Sequence, residues 1–127
     1  MQDKQLFEYA VIRVMPKVER EEFLNVGIIL FCPKQKFLEA TFIVDEKKLF
    51  SFSEKIDLIT LGENLRSFQM IAAGGASSGP IGQYDAAARF RWLTATRSTV
   101  IQCSKVHPGF THDANKTLKR LFEELVL

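Results

Sequence analysis

Long hydrophobic runs are missing from this 127-residue sequence, and cysteine is scarce. No apolar stretch approaches the roughly 20 residues that span a bilayer. The opening residues, MQDKQLFEY, lack the apolar core and cleavage site of a signal peptide. Cys32 and Cys103 are far apart, so we expect free thiols and no disulfide framework. These absences together predict a cytoplasmic protein that does not contact the membrane.

Recognisable catalytic and cofactor-binding motifs are also missing. The Gly-rich stretch 74–83 has no lysine, so it does not match a phosphate-binding loop that ends in Gly-Lys-Ser/Thr. A dinucleotide-binding loop would follow a strand, whereas a helix is predicted before this stretch. The histidines and cysteines lack the close paired spacing of metal ligands. We therefore expect no metal and no other cofactor.

Core-forming residues are plentiful. Hydrophobic residues make up 46% of the sequence and include 11 phenylalanines. The length matches a common domain size, so residues 1–127 are expected to form a single domain.

The order of apolar patterns predicts alternating strands and helices. Residues 6–15, 25–31 and 37–44 are rich in β-branched and aromatic residues and predict three strands, the last two joined as a hairpin. Leucines and Phe68 recur at helical spacing in a helix that either Ser53 or Asp57 opens, and alanines open a helix after Asp85. Asp113 begins a terminal helix that has an apolar stripe of its own. Residues 97–106 predict a fourth strand that ends before Pro108. The expected fold class is α+β, a mainly antiparallel sheet of about four strands with two or three helices packed on one face.

The segment 86–112 has an unusual charge pattern. It contains four arginines and lysines and no carboxylate, whereas the rest of the chain holds all 15 acidic residues. Arginine and hydroxyl side chains bind phosphate and carboxylate oxygens well. If the fourth strand lies beside the first, the predicted anion-binding residues lie on one surface; they are Arg13, Arg89, Arg91, Arg97, Ser98 and Thr99. The alternative is that these arginines form ordinary ion pairs with nearby glutamate and aspartate residues, or that Arg13 stacks on an aromatic neighbour.

Three classes of function remain open. A basic surface suits a binding or accessory module whose partner is a protein or an anionic ligand. A small enzyme acting on a phosphate-bearing substrate would use His107 as the acid or base and the arginines to hold the charge. A thiol enzyme that uses Cys103 with His107 as its base is a less favoured form of the enzyme hypothesis. Nucleic-acid binding is the third class, although a pI of about 8.6 is modest for it.

Two segments resemble a known family. VIRVMPKVEREEFLNVGIILFCPKQKFLEA and RFRWLTATRSTVIQCSKVHPG, together with Arg13, Asn25-Val26-Gly27 and Arg97-Ser98-Thr99, are similar to the bacterial Domain of Unknown Function family 3037. The resemblance implies a small bacterial protein with no assigned activity and no established catalytic residues. It also implies an accessory role beside kinases of the HipA type, which makes such a kinase a candidate partner.

Overall fold

Strand-forming residues assemble into one antiparallel sheet in the computed structural model, which describes residues 3–16, 20, 22–53, 56–95 and 100–127. In this part of the chain the sheet has five strands, one more than expected. They are β1 (Gln5–Val14), β2 (Leu24–Cys32), β3 (Phe37–Phe42), β4 (Ile101–Cys103) and β5 (His107–Thr111). The order is β3-β2-β1-β4, and β5 pairs with β1 beside β4. The predicted α+β class, with an antiparallel sheet, is confirmed.

The predicted fourth strand is two strands in the structure. β4 pairs with the end of β1, whereas β5 pairs with its beginning, and both run antiparallel to it. At the break, the Ser104 hydroxyl accepts a hydrogen bond from the Val11 backbone N–H at 2.8 Å and so replaces a carbonyl of the ladder. Pro108 and Gly109 were expected to end the strand but lie within β5. The alternation of residues along the sequence does not predict that a serine hydroxyl takes the place of a backbone carbonyl.

Each of the four helices in the described part of the chain begins at an aspartate. They are α1 (Glu46–Phe52), α2 (Leu58–Ala73), α3 (Ala86–Thr94) and α4 (Ala114–Leu125). The capping carboxylates accept hydrogen bonds from backbone N–H groups that have no partner inside the helix; the capping residues are Asp45, Asp57, Asp85 and Asp113. The predicted helix starts at Asp85 and Asp113 are therefore confirmed, and of the two candidates for the start of α2, Ser53 and Asp57, the cap is Asp57.

The sheet is covered on both faces. Residues Ala10, Ile12 and Val14 of β1 pack against α1, α2 and α3 in one core. Phe7 and Val11 point to the other face, where they pack against α4. We expected helices on one face of the sheet only. In the structure α1, α2 and α3 share one face, and α4 covers the other. The strands β1 and β2 are apolar on both sides for this reason.

The Gly-rich stretch that follows α2 forms local turns. Two short 3₁₀ turns span Ala76–Ser78 and Ile81–Gln83. Gly82 is buried, and the Ser78 hydroxyl donates to the Gly75 carbonyl at 2.6 Å. None of the helices in the described residues combines the length and the apolar character needed to cross a membrane.

Candidate functional site

Arg13 and the arginines of α3 lie on opposite faces of the sheet. Arg13 belongs to the same alternating set of β1 as Phe7 and Val11, which face α4. Its neighbour across the strands is Asn25, whose side-chain amide donates to the Leu125 carbonyl at the end of α4. α3 packs on the opposite face. The expectation that these arginines share one surface is wrong for Arg13, although β4 does lie beside β1 as predicted.

Arg13 is held by an aromatic ring. Its guanidinium carbon lies 3.9 Å from the centre of the Phe23 ring, which fits the stacking alternative. Arg13 Nε is buried and has no hydrogen-bond partner in the structure. Within the described residues, Arg13 forms no ion pair with a carboxylate. Stacking on Phe23 is therefore the main contact that fixes its position.

Arg89 lines a cavity at the other end of the sheet, between the β2–β3 turn, the end of α2 and the start of α3. We call it the Arg89 cavity; its volume is about 390 Å³ and it is lined by Phe31, Pro33, Lys36, Leu38, Ala72, Ala73, Ala86 and Arg89. Arg89 and Lys36 are the charged residues among these, and both are cations. The lining that the structure describes therefore includes no carboxylate to neutralise them.

The position of the Arg89 side chain depends on Gly74. Gly74 ends α2 with a φ of 81°, a left-handed conformation that favours glycine, and its N–H donates to the Met70 carbonyl. A Cβ atom on Gly74 would collide with Arg89 Nη1. The guanidinium thus occupies the space that the missing side chain leaves.

Arg89 is half-buried and has unused hydrogen-bonding capacity. Its Nε is buried without a hydrogen-bond partner. In the described part of the chain, the ion pairs are Arg20 with Glu22 and Arg120 with Glu124, so the ion-pair alternative does not apply to Arg89. The end of α2 carries a partial negative charge that favours a cation there, but Arg89 Nε makes no hydrogen bond to it.

Of the other predicted anion-binding residues, Arg13 and Arg91 are described by the structure and do not line this cavity. Arg91 is exposed on α3, two residues from Arg89 and therefore on a different side of the helix. Arg97, Ser98 and Thr99 lie outside the described residues. Among the members of the set that the structure describes, Arg89 is the one that lines the Arg89 cavity, and anion binding by the set stays a prediction.

His107 is separated from both Cys103 and Arg89. The His107 ring packs on Tyr9, with ring centres 5.3 Å apart, on the face that α4 covers. Cys103 pairs with Ile12 and packs against the core of the opposite face, where its thiol donates to the Leu93 carbonyl. The break at Ser104 places the two side chains on different faces. The described structure therefore assembles neither the predicted thiol pair nor a His107–Arg89 pair.

Two neighbouring cavities lie along α2, on the side of β4. One has a volume of about 430 Å³ and includes Trp92 and Cys103; the other has a volume of about 310 Å³ and includes Asp57 and Thr60. They share Asn64, Val100 and Ile101. Their described linings include no lysine or arginine, which makes them less suited to an anion than the Arg89 cavity.

Sequence reasoning missed Lys36 and Gly74. Lys36 was read as part of a hairpin loop, and in the structure its left-handed φ of 51° closes a tight turn after Pro33. Gly74 was correctly predicted to end α2, but its contact with Arg89 depends on tertiary packing. The lack of acidic residues in segment 86–112 is the signal that did point to Arg89.

A family model described as a protein of unknown function, DUF3037, matches residues 9–126. The match covers nearly the whole chain. This protein belongs to the DUF3037 family. No curated protein and no solved structure was found to match it. The DUF3037 family has no assigned activity, so the geometry of the Arg89 cavity is the basis for a proposed function.

Proposed function

We propose that this DUF3037 protein is a binding or accessory module that holds an anionic group in the Arg89 cavity. One observation carries the proposal: Arg89 and Lys36 line the same cavity, and the described lining contains no carboxylate. Two like charges that share a concave site without a counter-ion attract an anion. A guanidinium adds directional N–H donors, which suit phosphate and carboxylate oxygens.

The surroundings of Arg89 support binding. Among the described residues Arg89 forms no ion pair, so an incoming anion would not compete with a carboxylate already bound to the guanidinium. The candidate acid or base, His107, lies on the opposite face of the sheet. This placement favours a binding role over catalysis at the Arg89 cavity.

A titration with inorganic phosphate, followed by the NMR signals of backbone amides and of Arg89 Nε–H, tests the proposal. We expect saturable shifts at Gly74, Ala86 and Arg89. Arg89→Gln keeps a polar side chain of similar length and removes the charge, so it should weaken phosphate binding about tenfold or more.

Arg91→Gln is the matched control, because it removes one charge from the same helix on an exposed side. It should bind phosphate about as well as the natural protein. Equal binding by the natural protein and Arg89→Gln, or equal loss in both variants, would contradict the proposal.

The anionic group can also belong to a protein partner, and the family resemblance makes a HipA-type kinase the first candidate. The test is co-purification of the tagged protein from its host, followed by quantitative mass spectrometry. A partner that uses the Arg89 cavity should be recovered with the natural protein and with Arg91→Gln, and should be depleted with Arg89→Gln. A partner recovered equally with all three would bind elsewhere.

A further inference from the structure

We propose that the ligand of the Arg89 cavity is a phosphate monoester with a small apolar organic group, in preference to inorganic phosphate or a carboxylate. This inference rests on the proposed function and names the class of ligand. It follows from the number of cations in the lining, from the apolar character of the remaining walls, and from the way in which Gly74 fixes Arg89.

The charge of the lining favours a dianion. Arg89 and Lys36 supply two positive charges, and no carboxylate in the described lining offsets them. A phosphate monoester carries about −1.5 to −2 charges at pH 7, whereas a carboxylate carries one. The ester also has three terminal oxygens, so it can accept from the guanidinium and the ammonium at once.

The walls of the cavity favour an ester over the free ion. Phe31, Pro33, Leu38, Ala73 and Ala86 contribute carbon surface around the two cations. A fully hydrated phosphate ion gains nothing from this surface, but a small apolar group attached to the phosphate would displace water from it. A volume of about 390 Å³ accommodates such a molecule.

Gly74 is the positioning residue for Arg89. A Cβ atom at this position would overlap Arg89 Nη1, so Gly74→Ala displaces the guanidinium while every charge remains. Gly75 is a matched control, because it also has a positive φ, of 109°, but a Cβ atom there has no neighbour within 4 Å. Both substitutions strain the backbone, and only Gly74→Ala disturbs the cavity.

Isothermal titration calorimetry with phenyl phosphate, inorganic phosphate and benzoate tests the inference on the full chain. We expect phenyl phosphate to bind about fivefold more tightly than inorganic phosphate, because its ring covers apolar wall. Benzoate should bind about tenfold more weakly than phenyl phosphate. Gly74→Ala should lose most of the phenyl phosphate affinity, whereas Gly75→Ala should keep it.

Lys36→Gln should reduce the preference for phenyl phosphate over benzoate, since the second cation is what selects a dianion. Lys34→Gln is the control from the same turn; Lys34 is a described residue that is not part of the lining. An unchanged preference in Lys36→Gln would overturn the assignment of the second charge and with it the choice of a dianion.

Binding of a capped tripeptide with a central phosphotyrosine distinguishes two sources of the ester, a phosphorylated protein side chain and a free small molecule. If the ester is a phosphorylated protein side chain, this peptide binds more tightly than phenyl phosphate because it adds contacts outside the cavity. If the ester is a free small molecule, the two bind alike or the peptide binds more weakly. Either result supports the inference as long as both esters bind more tightly than inorganic phosphate.

The outcomes separate this inference from the proposed function. If inorganic phosphate binds in an Arg89-dependent way but phenyl phosphate binds no more tightly, the ligand class is wrong and the anion site stands. If phosphate shows no Arg89-dependent binding, the anion site itself is wrong.

Discussion

Arg13 illustrates how far single residues can be interpreted from sequence. It interrupts an apolar strand, and both a binding role and a stacked position were consistent with that pattern. The structure places its guanidinium 3.9 Å from the centre of the Phe23 ring and on the opposite face from α3. Stacking was foreseeable, because a long cationic side chain at a strand end commonly packs on an aromatic neighbour. The sequence did not predict which aromatic residue this would be, because that depends on how the chain after β1 returns to the sheet.

A double-mutant cycle measures the Arg13–Phe23 contact. We expect Arg13→Met and Phe23→Leu to be coupled by about 0.5–1 kcal/mol in the free energy of unfolding, the range of a partly exposed cation–π pair. Urea denaturation of the four proteins gives this number. Phe50 is a similarly exposed phenylalanine, so the cycle of Arg13→Met with Phe50→Leu serves as the control and should show no coupling.

Strand ends and helix starts differ in how well the sequence predicts them. Helix starts are determined locally by a capping side chain, which is why those at Asp85 and Asp113 were predicted correctly and the start of α2 was narrowed to Ser53 or Asp57. The division into β4 and β5 is determined by Ser104 and its bond to Val11 across the sheet. Such a bond joins residues 93 positions apart, and no local pattern encodes it.

Ser104→Ala tests the role of that bond in the sheet. It leaves the buried Val11 N–H without the hydroxyl acceptor, so we expect a loss of about 1–3 kcal/mol in the free energy of unfolding. Ser77→Ala, at an exposed position in a turn, should change the free energy by less than about 0.5 kcal/mol. Chemical denaturation monitored by circular dichroism provides both values, and equal small effects would show that the strand break does not depend on Ser104.

The start of α2 should respond to acid. Hydrogen bonds from the hydroxyl and then from the backbone N–H of Thr60 lower the pKa of Asp57 below its ordinary value of 3.8. A carboxylate with a lowered pKa in the folded state stabilises the protein above its ordinary pKa, and this contribution is lost as the pH falls through the folded value.

Asp57→Asn keeps a capping side chain and removes the titration, so it isolates this effect. Between about pH 5 and pH 2, the natural protein should lose more stability than Asp57→Asn. Thermal unfolding at a series of pH values measures the difference. Parallel pH profiles of the two proteins would show that the Asp57 carboxylate does not contribute.

For the molecule as a whole, the sequence predicted the class of fold and the antiparallel sheet but not the second layer. The apolar face of α4 was recognised, yet it was assigned to the same side as α2. A helical pattern shows that a helix has a buried face, but it does not specify which side of a two-sided sheet receives it. The composition of β1 and β2, apolar at consecutive positions, was the available sign that both sides are covered.

Because both layers pack on the same strands, we expect them to unfold together. Leu118 of α4 is buried, and Leu118→Ala should cost about 3 kcal/mol. Trp92, the single tryptophan, lies on α3 in the opposite layer. Tryptophan fluorescence and circular dichroism should therefore shift to the same lower denaturant concentration in Leu118→Ala.

Leu127→Ala is the control for this experiment, because Leu127 is 63% exposed and should have little effect. A fluorescence transition that stays at the natural position in Leu118→Ala, while the circular dichroism transition moves, would show that α4 unfolds as a separate unit.

Pro108 has a consequence for how the protein behaves at high concentration. Within the described residues β5 is an edge strand, which pairs with β1 on one side. Because proline has no backbone N–H, this edge cannot offer a full row of hydrogen-bond donors to a strand from another molecule. Pro108 therefore disfavours edge-to-edge pairing between molecules, which an edge strand without a proline would permit.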